Sequence, residues 1–196
     1  MSSKAKVPTI RGQLITCGLL CALSVALVLV GHSEPKLTAF VVGLPLWQQV
    51  VVSFAFAACT VGATSIVLAI PRLRLAIPIP QGVQAIDLSG TKPVQIGLAA
   101  GVGEELLFRA ALQPLVGLWW ESAIFAGAHI RTASFVGGAG KKAAYLANVL
   151  LAGAALGLVY KHVGLLAAIL IHATIDVVSL ASLHRLKGSA LATPAT

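Results

Sequence analysis

Apolar runs of membrane-spanning length alternate with short polar or Pro/Gly-rich breaks along this 196-residue chain. A spanning helix needs roughly 20 mostly apolar residues. The first run, LITCGLLCALSVALVLVG at 14–31, follows the basic opening MSSKAKVPTIRGQ. That order resembles a signal peptide, but the run is long enough to span and no small-x-small cleavage site closes it, so a retained first helix is expected. Leu37 to Ile70 is apolar for longer than one helix requires. Pro45 interrupts it, which places the second helix at 46–70, with Trp47, Gln48 and Gln49 at the interface and 37–45 as a loop or partly inserted segment. Pro71, Pro78, Pro80, Gly82, Gly90 and Pro93 mark 71–93 as a connector. Further spans are predicted at 94–117, 118–136, 143–160 and 163–183. The tail from His184 is polar and expected to be disordered, and no internal repeat is evident.

Composition agrees with this pattern. Hydrophobic residues make up 58% and charged residues 10%, with a mean hydropathy of +0.93. Soluble domains carry about 25% charged residues, so an integral membrane protein is indicated, and disordered, fibrous and disulfide-scaffold classes are excluded. The net charge of +8 would suit a nucleic-acid binder, yet there is no basic helix or aromatic-basic stripe, and no nucleic-acid partner is expected. The position of the cations is more telling. With six spans and both termini inside, Lys4, Lys6, Arg11, Arg72, Arg74, Lys92, Arg131, Lys141, Lys142, Arg185 and Lys187 fall on the cytoplasmic side; Lys36 and Lys161 fall outside. This is the bias expected of cytoplasmic loops, and Trp119, Trp120 and Tyr160 sit near span ends as an aromatic belt would. Cys17, Cys21 and Cys59 lie in apolar segments without CxxC or Cys/His zinc spacing, so they read as small packing residues.

The fold expected is an all-α polytopic membrane helix bundle of about six transmembrane helices with a four-helix catalytic core. It divides into 1–93 (basic segment, two spans and connector), 94–183 (the bundle with the site) and 184–196 (tail). Gly and Ala are dense in the last four spans, as in GLAAGVG at 97–103 and LLAGAALGL at 150–158. Small residues let membrane helices pack closely.

Against this apolar background stand Glu104, Glu105, Arg109, His129, His172 and Asp176. A charge at mid-bilayer costs at least about 2.5 kcal/mol, so such groups usually face the interior and pair. At about 1.5 Å per residue, Glu104 lies about 15 Å inside its span, His129 about 16 Å and His172 about 14 Å. One shared site near the midplane is therefore geometrically allowed. Glu105 and Arg109 are four apart on one face, in the favourable order. Arg109 is expected to tether Glu105, leaving Glu104, about 100° around the helix, as the freer carboxylate. The alternative is that both glutamates merely share Arg109 to lower buried charge. Phe125 precedes His129 by one turn and would pack on its ring. Asp176, one turn after His172, would orient that imidazole. His162 and His184 lie at helix ends, and Glu121 reads as a solvated rim residue.

A carboxylate and two imidazoles in a partly dry cavity would activate a water and stabilise an oxyanion. Glu104, His129 and His172 would also resemble a zinc site with an open position, Zn2+ being the candidate cofactor. No Ser or Cys motif suggests a covalent nucleophile, and HExxH is absent. The order Glu104-Glu105-x-x-x-Arg109, Phe125-x-x-x-His129, His172-x-x-x-Asp176 resembles the CPBP family, the CAAX-protease and bacteriocin-processing group also called Abi, with its EExxxR, FxxxH and HxxxN/D motifs on successive membrane helices. The resemblance covers about 94–183. It implies an intramembrane endopeptidase in which the residue matching Glu104 activates water with the help of His129, while His172 and Asp176 stabilise the oxyanion or act as ligands. Both metal-dependent and metal-independent mechanisms are attached to the family. Asp176 stands where Asn is also found, and a carboxylate is a poor oxyanion donor, so Asp176 fits better as an orienter of His172 or a ligand.

The partners implied are a membrane-anchored protein or peptide substrate and the lipid bilayer. Relatives trim prenylated CAAX proteins, mature peptides or confer bacteriocin immunity, so substrate does not carry over. Two rival classes remain in view at the level of sequence. One is a non-enzymatic immunity or scaffold protein with the same bundle. The other is a proton-coupled carrier, which the short chain, the lack of an inverted repeat and the single depth of the polar groups argue against.

Overall fold

The computed structural model describes residues 9–32, 40–70, 88–133 and 138–191. Its elements are α1 (Ile10–Gly31), α2 (Leu46–Ala69), α3 (Lys92–Glu105), a π-helical segment (Leu106–Leu112), α4 (Gln113–Val116), α5 (Leu118–Ala128), α6 (Ile130–Ala133), α7 (Ala139–His162) and α8 (Leu165–Leu191). The fold is an all-α membrane bundle. Four of the described helices are long and apolar enough to cross a membrane: α1, α2, α7 and α8 over Leu165–Arg185. Between them the chain is helical without a break from Lys92 to Val116, and this charged stretch is the centre of the bundle. It packs on α1 and on α8, α8 packs in turn on α2 and α7, and α5 packs on α7.

The π-helical turn has a sequence cause. Pro114 has no N–H, and its ring would collide with the carbonyl of Ala110 in a regular α-helix. Upstream of it the ladder widens, and the Gln113 N–H reaches back five residues to the Phe108 carbonyl. In a bilayer such backbone groups must find partners inside the protein. Ser24 Oγ donates to the Leu106 carbonyl at 2.7 Å, and His32 Nε2 donates to that of Ala111 at 2.8 Å, both from the α1 side.

Close packing of α3 on α8 depends on two glycines one turn apart. A Cβ on Gly97 would lie 2.7 Å from Val177 Cγ2, and one on Gly101 would lie 2.9 Å from the Ile169 carbonyl oxygen. Gly103 faces the other way, onto Cys17 of α1. The reversal between α7 and α8 turns on Gly164 at φ +136°. Gln49 of α2 fills the space beside it: its Nε2 donates to the Leu44 carbonyl at 2.8 Å, and its Oε1 accepts from the Ala167 N–H at 3.2 Å.

Several sequence expectations change here. Gln49 is buried as a clamp on the start of α8 instead of lying at the interface. Tyr160 is buried with Ala110, Leu165 and Ala168, while Trp119 and Trp120 remain exposed as a belt requires. The span expected at 118–136 is not one helix: α5 stops at Ala128 and His129 forms a turn. The tail expected from His184 is helical through Leu191, as a continuation of α8. The connector over 71–87 and the end after Leu191 lie outside the described residues.

Candidate active site

His172, on the α8 face that meets α3, is the hub. Its Nδ1 lies 2.6 Å from Glu105 Oε1. A carboxylate oxygen with no proton only accepts, so Nδ1–H donates and the ring orientation is fixed. The other nitrogen, Nε2, is turned towards Glu104 Oε2 at 3.9 Å and Asp176 Oδ2 at 3.8 Å. Neither is a direct hydrogen bond. Glu105, rather than Asp176, therefore orients the imidazole, although spacing within α8 alone pointed to Asp176.

Glu105 reaches this position because Arg109 holds its other oxygen. Arg109 Nε donates to Glu105 Oε2 at 2.8 Å, and both side chains are fully buried. The tether expected from the i, i+4 spacing is present, but Glu105 does more than neutralise a cation: it bridges Arg109 and His172. Glu104, one residue earlier, takes no part in this bridge. Its Oε2 is buried and has no hydrogen-bond partner among the described residues.

His129 is placed by the end of α5. Its Nδ1 donates to the Phe125 carbonyl at 2.8 Å, the acceptor that its own backbone N–H would use in a continuing helix. That N–H bonds Ala126 instead, at 3.1 Å. A side chain competing for its own helix's carbonyl ends the helix at this point. The imidazole packs on Phe125 with ring centroids 4.7 Å apart, and Phe125 in turn meets His172 edge-on at 6.1 Å. Glu104, Glu105, Asp176 and His172 are thus in one cluster, and His129 stands beside it across the Phe125 ring.

Two residues missed by sequence reading belong to this neighbourhood. Glu121 is wholly buried and not a solvated rim residue: it pairs with Arg109 Nη1. A signal for it was present, because Glu121, Phe125 and His129 recur every four residues on one helix face. Tyr145 of α7 packs against the cluster of Leu107, Phe108, Phe125 and Val149. Nothing in its spacing distinguishes it from a core aromatic.

As described, Glu104, His129 and His172 are not gathered closely enough to share one zinc ion. Among the described residues no three His, Cys, Asp or Glu side chains are grouped so as to hold a metal ion. His172 gives Nδ1 to Glu105 and His129 gives Nδ1 to a backbone carbonyl, which leaves Nε2 of each outside those bonds, as in histidines that ligate metals.

Comparison with known proteins adds one finding. Residues 92–178 match the family model described as type II CAAX prenyl endopeptidase Rce1-like. No curated protein and no solved structure matches the chain. The match opens at the first residue of α3 and closes within α8, so it takes in every group around His172. The similarity to that family is confined to residues 92–178, the stretch in which the three motifs lie.

Proposed function

We propose that this protein is an intramembrane endopeptidase that hydrolyses a peptide bond of a membrane-associated protein or peptide, with Glu104 as the base that activates water. The observation that carries this reading is the unpartnered Glu104 Oε2 set 3.9 Å from His172 Nε2. A buried carboxylate oxygen without a partner is costly. A water hydrogen-bonded to both atoms at about 2.8 Å would close a triangle on that 3.9 Å base.

In the proposed reaction the water donates one proton towards Glu104 and the other towards His172 Nε2, which leaves an oxygen lone pair for the scissile carbonyl carbon. Glu104 takes the first proton as the new C–O bond forms. His129, in its charged form, donates from Nε2 to the carbonyl oxygen as it becomes an oxyanion. Collapse of the tetrahedral intermediate breaks the C–N bond. Glu104 returns its proton to the leaving amine, so the products are an acid and an amine and the enzyme is restored. Asp176 lies on the Nε2 side of His172, beyond hydrogen-bond range, and takes no direct part in these steps. A zinc-assisted version of this hydrolysis would need His129 to swing in beside Glu104 and His172, and no step above is routed through a metal.

The deciding experiment compares wild type with Glu104→Gln on a membrane-anchored peptide in detergent or liposomes. The variant is expected to remain folded and to lose cleavage. Undiminished cleavage by Glu104→Gln would sink the mechanism. Undiminished biological function without any cleavage would favour a binding role such as immunity or scaffolding. Orientation is proposed with both termini on the cytoplasmic side, on the strength of the Lys/Arg distribution.

A further inference from the structure

Glu121 is a buried acid that the reaction above does not use. Arg109 already has a neutralising partner in Glu105, so charge balance does not call for a second carboxylate. One guanidinium and two carboxylates leave the trio with one negative charge in excess. The value of Glu121 lies in where it grips. Arg109 presents a rigid planar fork. Glu121 Oε1 takes Nη1, Glu105 Oε2 takes Nε, and the guanidinium carbon lies 5.0 Å from the Phe125 ring centre. Ser122 Oγ stands 3.4 Å from the second Glu121 oxygen. With Nη1 and the ring face both engaged, the direction in which Nε points is set, and with it the rotamer of Glu105. Glu105 passes the constraint to His172 Nδ1 at 2.6 Å. A chain of direct contacts therefore runs from α5 through the π segment and α3 to α8.

We propose that Glu121 is a positioning residue for peptide hydrolysis, acting through Arg109 and Glu105 to hold His172 with Nε2 towards Glu104. The proposal rests on the endopeptidase reading above. Glu121 touches neither substrate nor water in this scheme; its effect is on the angle of one imidazole.

Two variants separate positioning from simple stability. Glu121→Gln keeps the side-chain volume and an acceptor for Nη1 but loses the charge, whereas Glu121→Asp keeps the charge and shortens the reach by one methylene. Histidine-labelled protein in detergent micelles gives the His172 ring-nitrogen NMR signals, assigned by their disappearance in His172→Ala. Cleavage of a membrane-anchored peptide gives kcat and KM per folded molecule. Both variants are expected to move the His172 Nδ1 signal and to lower kcat on the order of 10–100-fold, the loss usual when a group that orients a functional histidine is weakened. KM is expected to stay within about twofold, since an interaction made only in the transition state is lost. An unmoved His172 signal, or a wild-type kcat, overturns the proposal. If Glu121→Gln does not fold, Glu121→Asp decides by the same two measurements. Absence of cleavage by the wild type would instead overturn the endopeptidase reading, and the NMR signals would still report whether Glu121 sets His172.

Discussion

At the scale of single residues, the site divides between groups tied into direct ion pairs and one carboxylate that is not. Glu105 is paired on both oxygens and Arg109 through Nε and Nη1, with its buried Nη2 unpartnered among the described residues, and both are shut off from solvent. Glu104 has no partner on Oε2. Removing a member of the paired set should be felt as instability. Arg109→Ala strands two buried carboxylates and is expected to lower unfolding stability by about 3–5 kcal/mol, read as an early thermal or denaturant transition in detergent. Glu104→Gln should leave that transition nearly in place. Asp176→Asn should behave differently again. Its carboxylate stands 3.8 Å from His172 Nε2, outside hydrogen-bond range, while Glu105 does the orienting. Cleavage by Asp176→Asn is therefore expected to stay within about tenfold of wild type; a loss as deep as that of Glu104→Gln would assign Asp176 to the chemistry. The identity of these residues was legible because a charge in an apolar run has few innocent explanations. Their pairing was only half legible. Spacing within a helix gave Arg109 to Glu105, but it also suggested Asp176 for His172, and a partner from a neighbouring helix took that place.

At the scale of elements, the site exists because α3 and α8 touch backbone to backbone. Ala173 follows His172 directly, and its backbone nitrogen would lie 3.0 Å from a Cβ placed on Gly101. Gly101→Leu must therefore push α8 outward at the level of the hub. A displacement of about 1 Å can cost about a hundredfold in rate, and a fall of that order in kcat/KM is expected. Gly62→Ala, on α2 where an added Cβ meets nothing, should be silent in the same assay. A silent Gly101→Leu would mean that the helix pair adapts without moving His172. The Gly-rich stretches were visible in sequence as packing signals. Which neighbour each glycine meets was not, since Gly101 serves α8 and Gly103 serves α1. The stop of α5 at His129 was equally hidden: the apolar segment read from sequence runs on to Val136, whereas in the structure the imidazole takes the Phe125 carbonyl that a continuing helix would use.

At the scale of the whole molecule, the charge map and the spans make an orientation testable. Reporter fusions at Met1 and Thr196 are expected to score as cytoplasmic, and a reporter inserted beside Lys161 as external. A cytoplasmic signal at all three positions would break the six-crossing topology. Purified protein treated with a strong chelator is expected to keep its cleavage activity, because the described side chains offer no three-ligand grouping. Activity lost to the chelator and restored by added zinc would require His129 to join Glu104 and His172 in a rearranged site.

The sequence by itself determined the solvent and singled out the polar groups that needed partners. A chain this apolar has to satisfy its backbone as helices in a bilayer, and the few polar groups it keeps at mid-depth must face one another. Tertiary structure alone decided which of those groups meet. Hydrogen bonds between side chains depend on helix rotation and on approach within about 3 Å, and neither is encoded by spacing along one helix. That is why Glu121, read from sequence as a rim residue, is found locked onto Arg109, and why Glu105, read as a counter-ion, is found holding the imidazole of His172.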